Sequence, residues 1–320
     1  MDNSVWNNRF LETLFAKFPK KPLLIKALMN LLHIEREAAY RRLRNQVDFS
    51  IHEIVKISSA WNISLDEISG NCSRKISFLM QPIDYVDPSE KELRFLQYIV
   101  KSINELKNFP DAEFMDICNK LPRQFLAGYR YLYQFHLFKC VYNYCTGKKP
   151  VPYGKVNISE EKQQLIADYN RVLKTVPNTN YIFDPLIIDH LVNDIQYFHS
   201  IQMISGMEIK LIKTDLHALL DYLSEVATKG CYPETQKKVN LYISYLNVDT
   251  NYSYTFTNRI SISLAHVFDK YEIYTHDVEI APKFKVWMQL MKRSSIQISE
   301  VGQKSRIEFF AKQQKLIDKL

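Results

Sequence analysis

Glycine is scarce in this chain. Seven glycines in 320 residues is about 2%, against a usual ~7%. No G-x-x-x-x-G-K-[ST], G-x-G-x-x-G or G-x-S-x-G occurs, so the glycine-built phosphate cradles and nucleophile elbows are excluded on motif grounds. Cysteine is sparse too. Cys72, Cys118, Cys140, Cys145 and Cys231 are odd in number and form no C-x-x-C, which reads as a reduced, intracellular chain rather than a disulfide scaffold. No apolar run reaches the ~18 residues of a membrane span. The nearest, Phe125–Cys145, is interrupted by Arg130, His136 and Lys139. Asp2, Arg9, Glu12 and Lys17 break up the first eighteen residues, which rules out a secretory h-region there. The expectation is a cytoplasmic protein with no membrane partner. Neither a repeat of solenoid length nor a low-complexity segment is present.

What remains is an ordinary globular composition, 46% hydrophobic and 24% charged, in a chain long enough for two domains. Aromatics stand out at 13%, with 20 Tyr and 18 Phe. The net charge of +7 is mild, but it is unevenly spread. The first 75 residues hold twelve basic and eight acidic side chains, and Lys17–Arg44 alone holds eight basic and two acidic ones.

Hydrophobic spacing predicts a run of short helices at the amino end. Trp6, Phe10, Leu11, Leu14 and Phe15 make a helical stripe within Val5–Phe18. Pro22 suits the first turn of a second helix through Leu32. Glu35–Arg44 reads as a third helix. Ser50 with Glu53 matches a capping box for a fourth, and Ser64–Ile68 opens a fifth in the same way. Gly70, Asn71, Ser73, Pro82 and Pro88 mark residues 71–88 as a linker, with Ile76–Met80 an apolar strip able to dock. Further helices are predicted from Ser89 to Lys107, over Asp111–Lys120, Arg123–Tyr144, Ser159–Lys174, Pro185–Ile204 and Glu208–Thr228, with Pro177–Asn180 a turn. The period then changes to two. Val239–Tyr245, Tyr252–Phe256, Ile260–Leu264 and Tyr271–Thr275 alternate as strands, Val248–Asn251 reads as a hairpin turn, and Ser295–Ser299 as a last strand between two helices.

The basic segment has a particular layout. Leu23–Leu32, a break at His33-Ile34, and Glu35–Arg44 make helix, tight turn, helix. Ala39 and Leu43 lie four apart and can face inward, which leaves Arg36, Glu37, Tyr40, Arg41 and Arg44 outward. Arginine on such a helix can donate two bonds to guanine, and a glutamate can accept from a cytosine amino group. Lys26, Arg44 and Asn45 sit where phosphate contacts would fix the register.

Residues 5–69 resemble the lambda-repressor-like (XRE-type) helix-turn-helix domain. The resemblance rests on Leu32-x-Ile34, on the third helix, and on Ser50-Ile-His-Glu-Ile-Val-Lys-Ile-Ser58 followed by Ile63-Ser-Leu-Asp-Glu-Ile68. The family commonly shows S-L-x-x-L-x-K-I-A-x-x-L-x-[VI]-S-L-D-E-L there. It implies that Arg36, Glu37 and Arg41 read bases while Tyr40, Arg44 and Asn45 flank them or touch the DNA backbone. This chain departs from the pattern at four places. His33 replaces a frequent turn glycine, Met29 a small alanine, Glu35 a Ser or Thr cap, and Asn45 another glycine.

No motif supports catalysis or a cofactor. His190 and Asp194 share a helix face but lack a third ligand, and His266, Asp269, His276 and Asp277 are scattered. Cys140 and Cys145 are five apart and do not share a face. The stripe Phe125, Tyr129, Leu132, Tyr133, His136, Phe138, Tyr142 reads first as core, with Tyr129, Tyr133, His136 and Tyr142 the candidates for a pocket or a dimer face. The fold expected is mainly α. Residues 1–70 form a five-helix helix-turn-helix domain of the lambda-repressor type. Residues 89–320 form a larger helical domain ending in a small antiparallel β element, α+β in class. The function expected is a bacterial-type, sequence-specific transcriptional regulator and not an enzyme. Its partners would be double-stranded DNA, a second copy in a homodimer, and an unidentified small-molecule or protein effector. The rival is a protein–protein interaction module that keeps a helix-turn-helix fold without binding DNA.

Overall fold

A computed structural model describes residues 3–18, 20–61, 63–65, 68, 78–80, 90–144, 150–157, 159–257, 261–267, 271–275, 277 and 279–320. The chain divides into two compact units, Met1–Ile76 and Ser77–Leu320. Its class is α+β: the described residues form twelve α-helices and one eight-stranded mixed sheet. No helix among them is long and apolar enough to cross a membrane.

The first unit is helical. Four helices, α1 (Asn3–Lys17), α2 (Lys21–Leu32), α3 (Arg36–Leu43) and α4 (Ile51–Trp61), wrap a core that includes Phe10, Leu14, Leu24, Leu28, Ala39, Phe49 and Ile57. Leu14, Leu24, Leu28, Ala39 and Ile57 are fully buried. Asp66 and Glu67 of the expected fifth helix lie outside the described residues.

The second unit is built on the sheet, in the order β1 (Leu79–Met80), β7 (Tyr271–Thr275), β6 (Ser261–Val267), β5 (Tyr252–Phe256), β2 (Glu113–Cys118), β3 (Asn178–Phe183), β4 (Lys238–Ser244), β8 (Ser295–Gln297). Three adjacent strands, β2, β3 and β4, run parallel to one another, and every other pairing is antiparallel. The apolar strip read as able to dock does so in part: Leu79 and Met80 pair with β7. Between β2 and β3 lie α6 (Arg123–Leu126), α7 (Arg130–Tyr144) and α8 (Glu160–Leu173), after α5 (Glu90–Glu105). Between β3 and β4 lie α9 (Ile187–Ser200) and α10 (Gly206–Lys229), while α11 (Ile280–Arg293) and α12 (Gln303–Asp318) flank β8. Phe114, Cys118, Tyr181, Phe183, Leu241 and Ile243 share one core with α6, α7, α9, α10 and α12. Met115, Ile117, Ile182, Tyr242 and Tyr254 form the core on the opposite face, under α11.

The β element is therefore neither small nor purely antiparallel, and three sequence expectations are corrected. Asp111–Lys120 is not a helix, since Glu113–Cys118 is a central strand buried from its second residue onward. A strand covered on both faces shows no alternation, and its apolar run cannot be told from a buried helix by period. The turn expected at Pro177–Asn180 is where β3 begins, and all but its first residue are buried. Val248–Asn251 is not a hairpin turn. β4 already pairs with β3 and β8, and β5 with β2 and β6, so this segment carries the chain from one strand to another three places away.

Helix ends follow local chemistry. Ser159 caps α8 by accepting from the Lys162 amide. Ser205 and Glu208 form a full capping box at α10, which ends on Gly230 with φ 67°. The expected Arg123–Tyr144 helix is broken between Leu126 and Arg130. The new amino end of α7 is capped from α10, where the Asp215 carboxylate accepts from the amides of Tyr131 (2.6 Å) and Leu132 (3.2 Å). A carboxylate at exposed helix amides also favours the helix dipole.

Candidate nucleic-acid interface

The α2–α3 corner turns on one residue. His33 closes α2 in the left-handed region, φ 54° and ψ 46°. Histidine tolerates that conformation better than most non-glycine residues, which is how the chain manages the corner without the frequent glycine. Glu35 then starts α3 from extended backbone without a side-chain cap. Ala39 and Leu43 are buried against the core. Arg36, Glu37 and Arg41 are all exposed to solvent.

Tyr40 is half-buried beside them. The Arg36 guanidinium lies 5.6 Å from its ring centroid and the Arg44 guanidinium 5.5 Å. Arg36 also donates to the Tyr40 hydroxyl at 3.5 Å. One aromatic ring thus carries two guanidinium groups and limits their freedom before any ligand arrives. Lys26 and Arg44 are exposed. Asn45 is exposed as well, with φ 58°, but its side chain is engaged inside the unit. It accepts from Asn7 and donates to Asn8 at 2.9 Å. It anchors the exit of α3 to α1, and this holding role comes before any contact with DNA.

Arg42 differs from its neighbours in a way that no local pattern marks. It points away from the exposed face and grips Glu53 with two bonds, Nε to Oε2 at 3.1 Å and Nη2 to Oε1 at 2.8 Å. Glu53 also completes the capping box of α4: the Ser50 amide donates to its carboxylate at 2.9 Å, and its own amide donates to the Ser50 hydroxyl at 3.3 Å. Burial works to raise the Glu53 carboxyl. The hydrogen bond from Arg42, the Ser50 amide and the Arg42 charge outweigh it, so the group sits below its ordinary value. A carboxyl depressed on folding stabilises the fold above its unfolded pKa, and that contribution disappears as pH falls through the folded one. Glu53→Gln is therefore expected to lower stability by about 1–3 kcal/mol at pH 7. The gap from the parent chain should narrow as pH falls below about 4.3. Urea unfolding of both proteins at pH 7 and across pH 5–3 measures this (both values bracket the ~4.3 of a free glutamate), and a pH-independent gap would sink it.

The candidates in the second unit separate. Tyr133 is buried in the core. Tyr129 is half-buried and donates to the Ala218 carbonyl at 3.2 Å. Tyr142 packs edge-on against Phe198, with centroids 4.9 Å apart. His136 lines a cavity. Asp194 is paired with Lys139 and not with a metal-binding partner, while His190 is exposed. Asp269, His276 and Cys145 lie outside the described residues. Among those described, no group of three His, Cys, Asp or Glu is arranged to hold a metal ion.

No protein-family model matches the chain, and neither a curated protein nor a solved structure resembles it closely enough to count as a match.

Proposed function

We propose that the chain is a sequence-specific DNA-binding regulator, with α2 and α3 acting as a helix-turn-helix. α3 would enter the major groove, with Arg36, Glu37 and Arg41 at base edges and Lys26, Tyr40 and Arg44 on flanking groups or phosphates. One observation carries this reading. The short helix divides its charged side chains: Arg42 is committed inward to Glu53, while Arg36, Glu37 and Arg41 stand exposed. Exposed guanidinium groups on such a helix, with Arg36 already ordered against Tyr40, suit bidentate guanine recognition. The second unit serves to pair two copies, so that two α3 helices meet half-sites about one helical turn apart. It also offers a place for an effector to favour one arrangement of the dimer.

The test is binding of the full chain to DNA from upstream of its own coding region and to random DNA of equal length, across salt. The expected result is a log–log salt slope worth several phosphates at ~0.9 each. The preference for specific DNA should be ~10³-fold or more, with a two-fold symmetric footprint. Equal affinity for both DNAs at every salt concentration would overturn the reading and move the search to a protein partner.

A further inference from the structure

A polar cavity of about 80 Å³ opens in the second unit, at the carboxyl end of β2. β2 lies between parallel β3 and antiparallel β5, the edge of the parallel region, where open sheets leave a crevice for ligands. The floor is held rigidly. The Asn251 carboxamide oxygen accepts from the amides of Asn119 (2.9 Å) and Lys120 (3.1 Å), and its nitrogen donates back to the Lys120 carbonyl at 3.0 Å. Asn119 ties the same turn to the Asp249 carbonyl at 2.8 Å.

The charge of the walls is one-sided. Lys120, Arg123 and Lys139 line the cavity together with the imidazoles of His136 and His266, and among the described residues no carboxylate does. The carboxylates that balance these cations stand outside the lining. Glu272 pairs with Arg123, and its carboxylate is 3.8 Å from the His266 Nε2. Asp194 pairs with Lys139. The positive field shows in both histidines. Burial first, then Arg123 and Lys139, hold His136 well below its ordinary value; burial, then Arg123 and Lys120, push His266 down to about 3. Each is a neutral ring at pH 7, able to donate one hydrogen bond and accept another.

The geometry points to this cavity as a binding site for a small tetrahedral oxyanion, the phosphoryl group of a small molecule. The lining draws its donor-bearing residues from three parts of the fold: the turn after β2 (Lys120), α6 and α7 (Arg123, Lys139), and β6 (His266). Such an arrangement fits an anion with acceptor oxygens pointing several ways, whereas a planar carboxylate would leave one wall unanswered. The volume accommodates several water-sized groups, enough for an oxyanion and the first atoms of its carrier. A metal cation is disfavoured by the same charge.

The experiment is calorimetric titration of the full chain with inorganic phosphate at pH 7 and fixed ionic strength, with sulfate and acetate in parallel. Saturable phosphate binding at millimolar Kd or tighter is expected, with sulfate within ~10-fold and acetate weaker than either by ~10-fold or more. Asn143 also lines the cavity, with an exposed side chain. Asn143→Asp places a carboxylate in the lining without disturbing the core and should weaken phosphate by ~10-fold or more at unchanged Tm. Lys120→Ala should do the same, and Arg36→Ala/Arg41→Ala should change nothing. Any of four results would overturn the proposal. They are no saturable heat up to ~10 mM phosphate, acetate equal to phosphate, affinity unchanged in both cavity variants, or affinity lost in the α3 double variant.

Discussion

Arg36→Ala/Arg41→Ala is expected to lose nearly all preference for specific DNA while folding as the parent chain does. Each good bidentate base contact is worth about 1–3 kcal/mol of discrimination. Two of them come to ~2–6 kcal/mol, a fall in specific affinity of ~30- to 10⁴-fold. Both side chains are exposed and neither supports the core, so Tm should move little. Binding to random DNA should fall much less, because that term comes from phosphate contacts. Two comparisons make the result specific to base reading. Lys26→Ala should weaken all sequences alike and lower the salt slope by about 1. Arg42→Ala should destabilise the unit by stranding Glu53 but leave discrimination intact in the folded fraction. If the double variant kept full preference for specific DNA, α3 would not be the reading element.

The local structure of α2, α3 and α4 was legible from sequence because its signals are local. The Ser50–Glu53 box, the inward spacing of Ala39 and Leu43, and a histidine able to take positive φ all act within a few residues, and each appears where expected. Arg42 was opaque for the opposite reason. Only the approach of α4 decides that it meets Glu53, eleven residues away, and nothing in Arg41-Arg42 says which of the two is committed inward. The sheet failed at the same limit. β5, β6 and β7 keep half-covered faces and alternate visibly. β2 and β3 are sealed on both sides and do not. The strand order cannot be reached from neighbouring segments, since β5 pairs with β2 across more than 130 residues of chain. The cavity joins segments 119–143 and 250–266 and inherits that opacity: Lys120, Arg123 and His266 carry no common spacing.

The scarcity of glycine makes each one informative, and two of them should respond in opposite ways to the same substitution. Gly302 opens α12 with φ 70°, and a Cβ there would fall 2.1 Å from the Gln297 carbonyl oxygen. That oxygen is backbone in a turn held at several points. The Ile298 amide donates to the Leu241 carbonyl at 2.9 Å, the Leu241 amide to the Ser299 hydroxyl at 3.1 Å, and Arg306 to the Ile298 carbonyl at 2.9 Å. Left-handed strain alone costs an alanine about 1–2 kcal/mol. Displacing an anchored carbonyl adds to it, so Gly302→Ala should lose on the order of 3 kcal/mol or more, in the exceptional tail of single substitutions. Gly206 also sits at a helix start, but it has no positive φ and its Cβ would meet nothing within 4 Å. Gly206→Ala should be neutral or gain up to about 1 kcal/mol by restricting the unfolded chain. Gly302→Asn separates the two causes. Asparagine relieves left-handed strain but not the collision, so it should regain no more than that ~1–2 kcal/mol and leave the rest of the loss in place. Urea midpoints of the three variants decide the matter: full recovery in Gly302→Asn would assign the loss to backbone strain, and equal stability of Gly302→Ala and Gly206→Ala would mean that the turn before α12 yields easily.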